Sequence, residues 1–272
     1  MKKILTIIAA GLTALGLAYT SCFAQEKIVM AGSTTVLPIA QKTAEVFMDE
    51  NPGVDISVRG GGSSVGITAL IDGNCDIANS SRPIKDTEIQ KAASRGKDPV
   101  AHIVAMDGIA VVVNKSNPVT KLSKKQVKDI YMGKITDWSQ VGGRPGKIVV
   151  VSRDSASGTF EAFGTLVMNN EKVIPSALMQ ASNQGVAQIV AQTPGAIGYV
   201  GLGFISESIK PVEIDGVMPS RETVLSGKYS ISRPLFMYTN GKPQGKLKEY
   251  LDFVKGKKGQ SLVEEVGYVG LK

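Results

Sequence analysis

The chain is poor in the side chains that most often carry catalysis or bind metals. Its 272 residues include one histidine, two cysteines and one tryptophan, and aromatic residues make up 6% of the sequence. A single histidine and the lack of a tight acidic cluster leave no convincing set of metal ligands. A metal site, and with it a two-metal phosphatase, is therefore not expected. Few aromatics lie among the basic residues, which argues against nucleic-acid binding.

The longest apolar run lies at the N-terminus and predicts a signal peptide. Two lysines precede the run from Ile4 to Leu17, and Ala24 is a small residue suited to cleavage. The run is too short for a stable membrane span. We expect residues 1–24 to be removed and the mature chain to be periplasmic or otherwise extracytoplasmic. Acylation at Cys22 is the less favoured alternative, because Tyr19 stands where a small aliphatic residue is usual.

The mature chain is large enough for two lobes and is modestly basic. Cleavage leaves 248 of the 272 residues, which supports one large domain or two lobes with ample cores. Cys75 is then the only cysteine, so no internal disulfide can form, and we expect a buried thiol. Without the two N-terminal lysines, 29 basic residues stand against 24 acidic ones, a net charge of about +5. A basic exterior attracts small anions.

Short β-rich runs alternate with helical patterns along the mature chain, which predicts an α/β fold with mostly parallel sheets. Strands are expected at Lys27–Ala31, Asp55–Arg59, Asp76–Asn79, Ile109–Asn114, Ile148–Ser152, Gly198–Val200, Val212–Ile214 and Leu235–Thr239. Helices are expected at Val36–Asn51, Val65–Asp72, Lys85–Arg95, Lys124–Met132, Thr159–Val167, Asn183–Gln192, Lys246–Lys255 and Ser261–Val266.

Four polar turns follow predicted strands, where ligands bind in open α/β sheets. The hydroxyl and glycine residues of these turns are Ser33, Thr34 and Thr35, then Ser63 after a run of glycines, then Ser81, and finally Ser157, Gly158 and Thr159. A helix start offers unpaired N–H groups and a positive dipole end, which suit an anion. Such turns also serve as ordinary helix caps, and Ser63 is expected to cap the helix that follows it. Arg153 adds a planar charged fork, so the set favours an oxyanion site.

Two other classes of site fit the sequence less well. Gly60-Gly61-Gly62 does not complete a dinucleotide fingerprint, and no phosphate loop with Gly-Lys-Ser/Thr is present. Ser157 lies before a glycine, but not in the Gly-x-Ser-x-Gly elbow of serine hydrolases. His102, the only base available to it, is expected to be a strand residue among apolar neighbours. A serine hydrolase is the weaker alternative, and we expect no catalytic residues and no enzyme.

These turns resemble those of the PstS family, the extracytoplasmic phosphate-binding proteins of ABC importers. The resemblance rests on Ala-Gly-Ser-Thr-Thr at 31–35, Gly-Gly-Gly-Ser-Ser at 60–64, Asp-Ile-Ala-Asn-Ser-Ser-Arg-Pro at 76–83 and Arg-Asp-Ser-Ala-Ser-Gly-Thr at 153–159. Gly-Lys-Ile-Thr-Asp-Trp at 133–138 also looks like a recurrent segment of that family. The resemblance covers essentially the whole mature chain.

The family implies a two-lobed periplasmic binding protein of the type II kind. Each lobe would be a mixed, mostly parallel sheet flanked by helices, with residues 25–108 and 233–272 in lobe 1 and residues 109–232 in lobe 2. The family also implies high-affinity binding of inorganic phosphate and its delivery to the membrane permease subunits of an ABC importer. We expect a monomer without cofactors or nucleic acid. Another oxyanion, such as sulfate or a molybdate-like ion, is the alternative ligand, because sulfate binders share the fold.

The family's phosphate contacts carry over to positions in both lobes. They are Thr34, Thr35 and Ser63 in one lobe and Arg153, Ser157, Gly158 and Thr159 in the other, with Ser33 in the same turn as the two threonines.

The chain departs from the longer family members at Ser81. They place there an aspartate that accepts a phosphate proton, whereas Arg82 follows the serine here. Such an acceptor separates protonated phosphate from sulfate. Asp107, just before the strand at 109–114, is the candidate replacement, with a hinge turn or an ion pair with Arg82 as alternatives.

Overall fold

The computed structural model describes residues 26–271. The predicted signal peptide at 1–24, with Cys22, lies outside the described residues. Among residues 26–271, every helix is too short or too polar to span a lipid bilayer.

The predicted strands and helices occur along the described chain in the expected order, and short additional elements lie between some of them. The strands are β1 (Glu26–Gly32), β2 (Val54–Arg59), β3 (Ile77–Ser80), β4 (Pro99–Asn114), β5 (Lys121–Leu122), β6 (Val149–Arg153), β7 (Leu178–Gln180), β8 (Ala196–Gly201), β9 (Ile209–Pro211), β10 (Glu213–Ile214) and β11 (Ser232–Asn240). The helices are α1 (Leu37–Glu50), α2 (Ser63–Asp72), α3 (Asp86–Ala93), α4 (Lys124–Tyr131), α5 (Gly158–Leu166), α6 (Asn183–Gln192), α7 (Arg221–Leu225), α8 (Gly245–Lys255) and α9 (Lys257–Glu265). Short 3₁₀ turns lie at Trp138–Val141 and Leu202–Phe204.

The main sheet is mixed, with the order β2-β1-β3-β11-β4-β8-β6-β7 and β9 beside β4. The outer strands pair in parallel, β1 with β2 and β3, and β6 with β7 and β8. The central strands β4 and β11 are antiparallel to each other and to their other neighbours. Two long antiparallel strands therefore connect two parallel units.

Strand β4 is much longer than the predicted strand at 109–114, because it begins at Pro99. Its first part pairs with β11, and its last part pairs with β8. The polar side chains of His102 and Asp107 interrupt the apolar pattern in the first part, so only the pairing with β11 makes this segment a strand. His102 Nε2 lies 2.9 Å from Thr239 Oγ1 on β11, which confirms a strand residue.

The sheet carries two separate sets of buried apolar side chains. In the first set, helices α1, α8 and α9 pack on one face of the sheet, and α2 and α3 pack on the other face. In the second set, helices α4, α5 and α7 pack on one face of the sheet, and α6 packs on the opposite face. We call helices α1, α2, α3, α8 and α9, with the strands that they cover, the first half of the protein. Helices α4, α5, α6 and α7, with the strands that they cover, are the second half. Cys75 is buried in the first half as a free thiol, and burial raises the pKa of this thiol to about 12.

Candidate functional site

The turn after β1 is held in one shape by a close backbone contact. Gly32 has φ +132°, and a Cβ there would lie 2.2 Å from the carbonyl oxygen of Asn79, so only glycine fits. Ser33 N–H donates to this same oxygen at 2.8 Å. Ser33 Oγ accepts from the N–H groups of Thr35 and Val36. The turn thus begins α1 and holds Thr34 and Thr35 at its start.

The start of α5 packs against the start of α2, across the boundary between the halves. A Cβ on Gly158 would lie 2.3 Å from Ser63 Oγ and 2.8 Å from Ser81 Oγ, so the glycine permits this approach. Ser64 N–H donates to the carbonyl of Ala156 at 3.1 Å. The N-terminal ends of both helices therefore face the same place.

Ser157 and Ser63, both at helix starts, differ in their role. Ser157 caps α5, because its Oγ accepts from Phe160 N–H at 3.2 Å. The prediction that Ser63 caps α2 is wrong, because Gly62 is the N-cap and Ser63 is the first residue of the helix. Ser63 Oγ instead accepts from Ser81 N–H at 3.0 Å and joins α2 to the turn after β3.

The predicted site residues of the two halves come together through side chains. Thr35 Oγ1 lies 2.9 Å from Thr159 Oγ1, and Arg153 Nη2 donates to Thr34 Oγ1 at 3.2 Å. All ten predicted site residues are buried in this conformation; they are Ser33, Thr34, Thr35, Ser63, Ser81, Asp107, Arg153, Ser157, Gly158 and Thr159. The two halves are closed on one another at this point.

Arg153 is a buried cation with spare donor capacity. Its Nε donates to the carbonyl of Gln180 and its Nη2 to that of Ala181, each at 3.0 Å. Its buried Nη1 has no hydrogen-bond partner among residues 26–271. Burial lowers the pKa of the guanidinium to about 10, which leaves it charged at neutral pH. Because an unpaired buried donor is costly, this end of Arg153 is suited to an anion.

Asp107 does not pair with Arg82, so that alternative is wrong. Its partner is Arg233, the residue opposite it on β11, whose Nη2 donates to Asp107 Oδ2 at 3.0 Å. Asp107 Oδ1 accepts from Leu202 N–H at 2.9 Å. Burial raises the pKa of Asp107, and the charge of Arg233 opposes that shift. Both carboxylate oxygens therefore already accept hydrogen bonds.

Arg82 belongs to a second contact between the halves, at the edge of the site. Its guanidinium forms an ion pair with Glu88 of α3 at 2.7 Å and another with Glu161 of α5 at 3.0 Å. Glu161 also accepts from Lys85 Nζ at 2.7 Å and from Ser64 Oγ at 3.3 Å. One carboxylate of the second half thus contacts three donors of the first half.

Two residues absent from the sequence prediction contact the threonines. Asn183 Nδ2 donates to Thr34 Oγ1 at 3.2 Å and to Thr35 Oγ1 at 3.0 Å. Arg233 Nη2 donates to Thr159 Oγ1 at 2.9 Å. Asn183 begins the predicted helix at 183–192, which is a signal for it, but the short strand β7 before this helix is not predicted, so the pattern used for the four turns is incomplete here. Arg233 lies before the predicted start of its strand at Leu235, and no local pattern marks it.

The described residues offer little for metal or hydrolase chemistry. Among residues 26–271, no cluster of three His, Cys, Asp or Glu side chains could hold a metal ion. The imidazole of His102 bonds to Thr239, whereas Ser157 Oγ bonds to the backbone of α5. Ser157 thus has no hydrogen-bonded base in the described part of the chain.

Comparisons with known proteins agree on one family. A sequence model described as a PBP superfamily domain matches residues 18–257. The phosphate-binding protein PstS of Bacillus subtilis (strain 168) is 35% identical over 248 residues, which cover 90% of this chain and 81% of the relative. The phosphate-binding protein PstS of Borreliella burgdorferi is 32% identical over 287 positions, which cover 100% of both chains.

Solved structures of similar proteins share the fold. A putative phosphate ABC transporter substrate-binding protein from Clostridium perfringens, with bound phosphate, has a TM-score of 0.86 at 33% identity, covering 91% of this chain and 100% of its own. An ABC-type phosphate transport receptor from Vibrio cholerae has a TM-score of 0.74 at 33% identity, covering 90% of this chain and 100% of its own. The chain therefore belongs to the PBP superfamily and, within it, to the PstS family of phosphate-binding proteins.

Proposed function

We propose that this protein binds inorganic phosphate outside the cytoplasm and delivers it to the permease of an ABC importer. The observation that carries the proposal is the buried guanidinium of Arg153, whose Nη1 has no partner among the described residues. Its Nη2 donates to Thr34 Oγ1 in the turn before α1, and Thr159 Oγ1 of α5 lies 2.9 Å from Thr35 Oγ1 of that same turn. A small oxyanion offers acceptors to all of these donors.

The proposed binding residues come from three helix starts, the turn after β3 and the end of β6. They are Ser33, Thr34, Thr35, Ser63, Ser81, Arg153, Ser157, Gly158 and Thr159, with Asp107 behind Arg233. The backbone N–H groups of Gly158 and Thr159 have no intrahelical acceptor, because they begin α5. They add neutral donors at the positive end of a helix dipole.

The mechanism is capture without chemistry. We assign residues 25–108 and 233–272 to one lobe and residues 109–232 to the other, with β4 and β11 as the crossover strands. An anion that enters between open lobes would accept hydrogen bonds from both, and these bonds would stabilise the closed form. The permease would then accept the closed, loaded protein. We infer that the signal peptide is cleaved and that the mature protein is a monomer.

Titration calorimetry of the mature protein with phosphate, sulfate and molybdate across pH tests this function. We expect one phosphate per chain and much weaker binding of the other two anions. Tighter binding of sulfate or molybdate would establish the alternative ligand, and no binding of any of the three would reject the function. Hydrolysis of an ester substrate, lost on Ser157→Ala, would instead support the hydrolase alternative.

A further inference from the structure

The threonine hydroxyls at the centre of the site already accept hydrogen bonds from protein donors. Thr34 Oγ1 accepts from Asn183 Nδ2, and Thr35 Oγ1 accepts from the same amide. Thr159 Oγ1 accepts from Arg233 Nη2 at 2.9 Å, and the same nitrogen lies 3.5 Å from Thr35 Oγ1. A hydroxyl has one proton to donate. When protein donors occupy the lone pairs of its oxygen, that proton is directed away from them and is available to another acceptor.

We propose that Asn183 and Arg233 are positioning residues of the anion site, which turn the threonine protons towards the ligand. The inference rests on the proposed function and deepens it. Thr35 and Thr159 face one another at 2.9 Å, so one proton of that pair lies between them and the other is free. Thr34 Oγ1 accepts from both Asn183 and Arg153 and donates to no acceptor among residues 26–271, so its proton is free as well. Donors fixed in this way need no reorganisation when an acceptor-rich oxyanion arrives.

The orientation of the Asn183 amide is determined by its own contacts. Asn183 is the first residue of α6, and Ser182 caps that helix by accepting from Gly185 N–H at 3.0 Å. Asn183 Oδ1 accepts from Gly201 N–H at 3.2 Å. The reversed amide would place its NH₂ group against this N–H, so the NH₂ group must face the threonines.

The orientation of Arg233 is determined by Asp107. Its Nε and Nη2 donate to the same Asp107 oxygen, at 3.2 and 3.0 Å, and the side chain is 5% exposed. A guanidinium has no acceptor, so its contact with Thr159 can only be a donation. Its Nη1 also donates to the Gly158 carbonyl at 3.3 Å. Arg233 thus connects the crossover strands to the start of α5.

This arrangement gives Asp107 a different role from the one that the sequence suggests. Arg233 contacts both Asp107 and Thr159, and so lies between the carboxylate and the start of α5. Asp107 then acts through Arg233 on the donors of the site and does not accept a ligand proton. Its loss should weaken binding of phosphate and of competing sulfate by the same factor.

The test is phosphate titration of Asn183→Ala in two backgrounds. In the otherwise native protein we expect binding about tenfold weaker, because a donor that orients two hydroxyls is lost. In a Thr34→Val, Thr35→Val background, the same substitution should change affinity by less than about twofold. Valine keeps the shape of threonine but has no hydroxyl to orient, so a purely structural role for Asn183 would persist in that background.

Arg233 is tested with its charge balance preserved, because removal of one partner leaves a buried charge unpaired. The double variant Asp107→Asn, Arg233→Gln should bind phosphate about tenfold more weakly. Arg233→Lys should retain more affinity than the double variant. Thermal unfolding without phosphate checks that each variant is folded.

Three results would overturn the inference. They are native-like affinity of Asn183→Ala, an equal loss in the valine background, and a changed ratio of phosphate to sulfate affinity in the double variant Asp107→Asn, Arg233→Gln. Failure of the native protein to bind phosphate would instead reject the proposed function, so the two failures are distinguishable.

Discussion

The hydroxyl oxygens of Thr35 and Thr159 lie 2.9 Å apart, although 124 positions separate the two residues in the chain. Thr35 lies in the turn that begins α1 in the first half, and Thr159 lies in the first turn of α5 in the second half. The backbone bond from Ser64 to Ala156 crosses the same boundary. Substitutions that weaken these contacts should therefore affect ligand affinity more than stability of either half.

Arg153→Ala should weaken phosphate binding at least about 100-fold. The substitution removes a buried charge whose Nη1 has no partner in the described structure, and charge-assisted hydrogen bonds are worth about 1.5–3 kcal/mol each. Calorimetry measures the change. The matched control is Arg144→Ala, which removes an exposed arginine of the second half and should leave affinity unchanged. An Arg153→Ala affinity within about twofold of the native value would contradict the proposed role.

Gly158→Ala should hold the two halves apart. The added Cβ would lie 2.3 Å from Ser63 Oγ and 2.9 Å from Ser63 Cβ, across the boundary. We expect phosphate binding at least about tenfold weaker, while α5 gains up to about 1 kcal/mol of helix propensity. Gly164→Ala in the same helix is the control, because its Cβ would have no atom within 4 Å. Equal affinities of the two variants would contradict close approach at Gly158.

Local patterns predict the parts of the site that local backbone geometry forms. The four turns and α6, predicted and observed at Asn183–Gln192, depend on glycines, capping hydroxyls and apolar periodicity within a short stretch. The first part of β4 depends on pairing with β11 and was therefore missed. Arg233 is placed by its register opposite Asp107, a relation between distant strands that no local pattern contains.

Glu161→Gln should speed the release of phosphate. Glu161 contacts Arg82 and Lys85 of the other half, and its side chain is 20% exposed. Partly exposed ion pairs contribute about 0.2–1 kcal/mol, so we expect the dissociation rate to rise roughly two- to fivefold. At high salt the rise should be smaller, because salt screens the ion pairs. Stopped-flow release at two salt concentrations measures it.

Two other glutamates serve as controls for that experiment. Glu171→Gln removes an exposed carboxylate from the second half and should leave release unchanged. Glu88→Gln removes the partner of Arg82 within the first half, so it should lower the free energy of unfolding more than it changes release. If Glu88→Gln and Glu161→Gln changed the dissociation rate equally, the contact across the boundary would have no special role.

His102→Gln separates stability from binding. Burial, with a smaller effect of Lys255, lowers the pKa of His102 below its ordinary 6.5. The unfolded chain therefore binds a proton more tightly than the folded one, and stability falls as the pH drops below about 6.5 towards the pKa of the folded state. The melting temperature of the variant should therefore fall less steeply with pH in this range. The variant should also bind phosphate within about twofold of the native protein, because His102 bonds to Thr239 on β11 and makes no hydrogen bond to a proposed binding residue. An unchanged pH profile of melting would contradict the first expectation, and loss of phosphate binding would contradict the second.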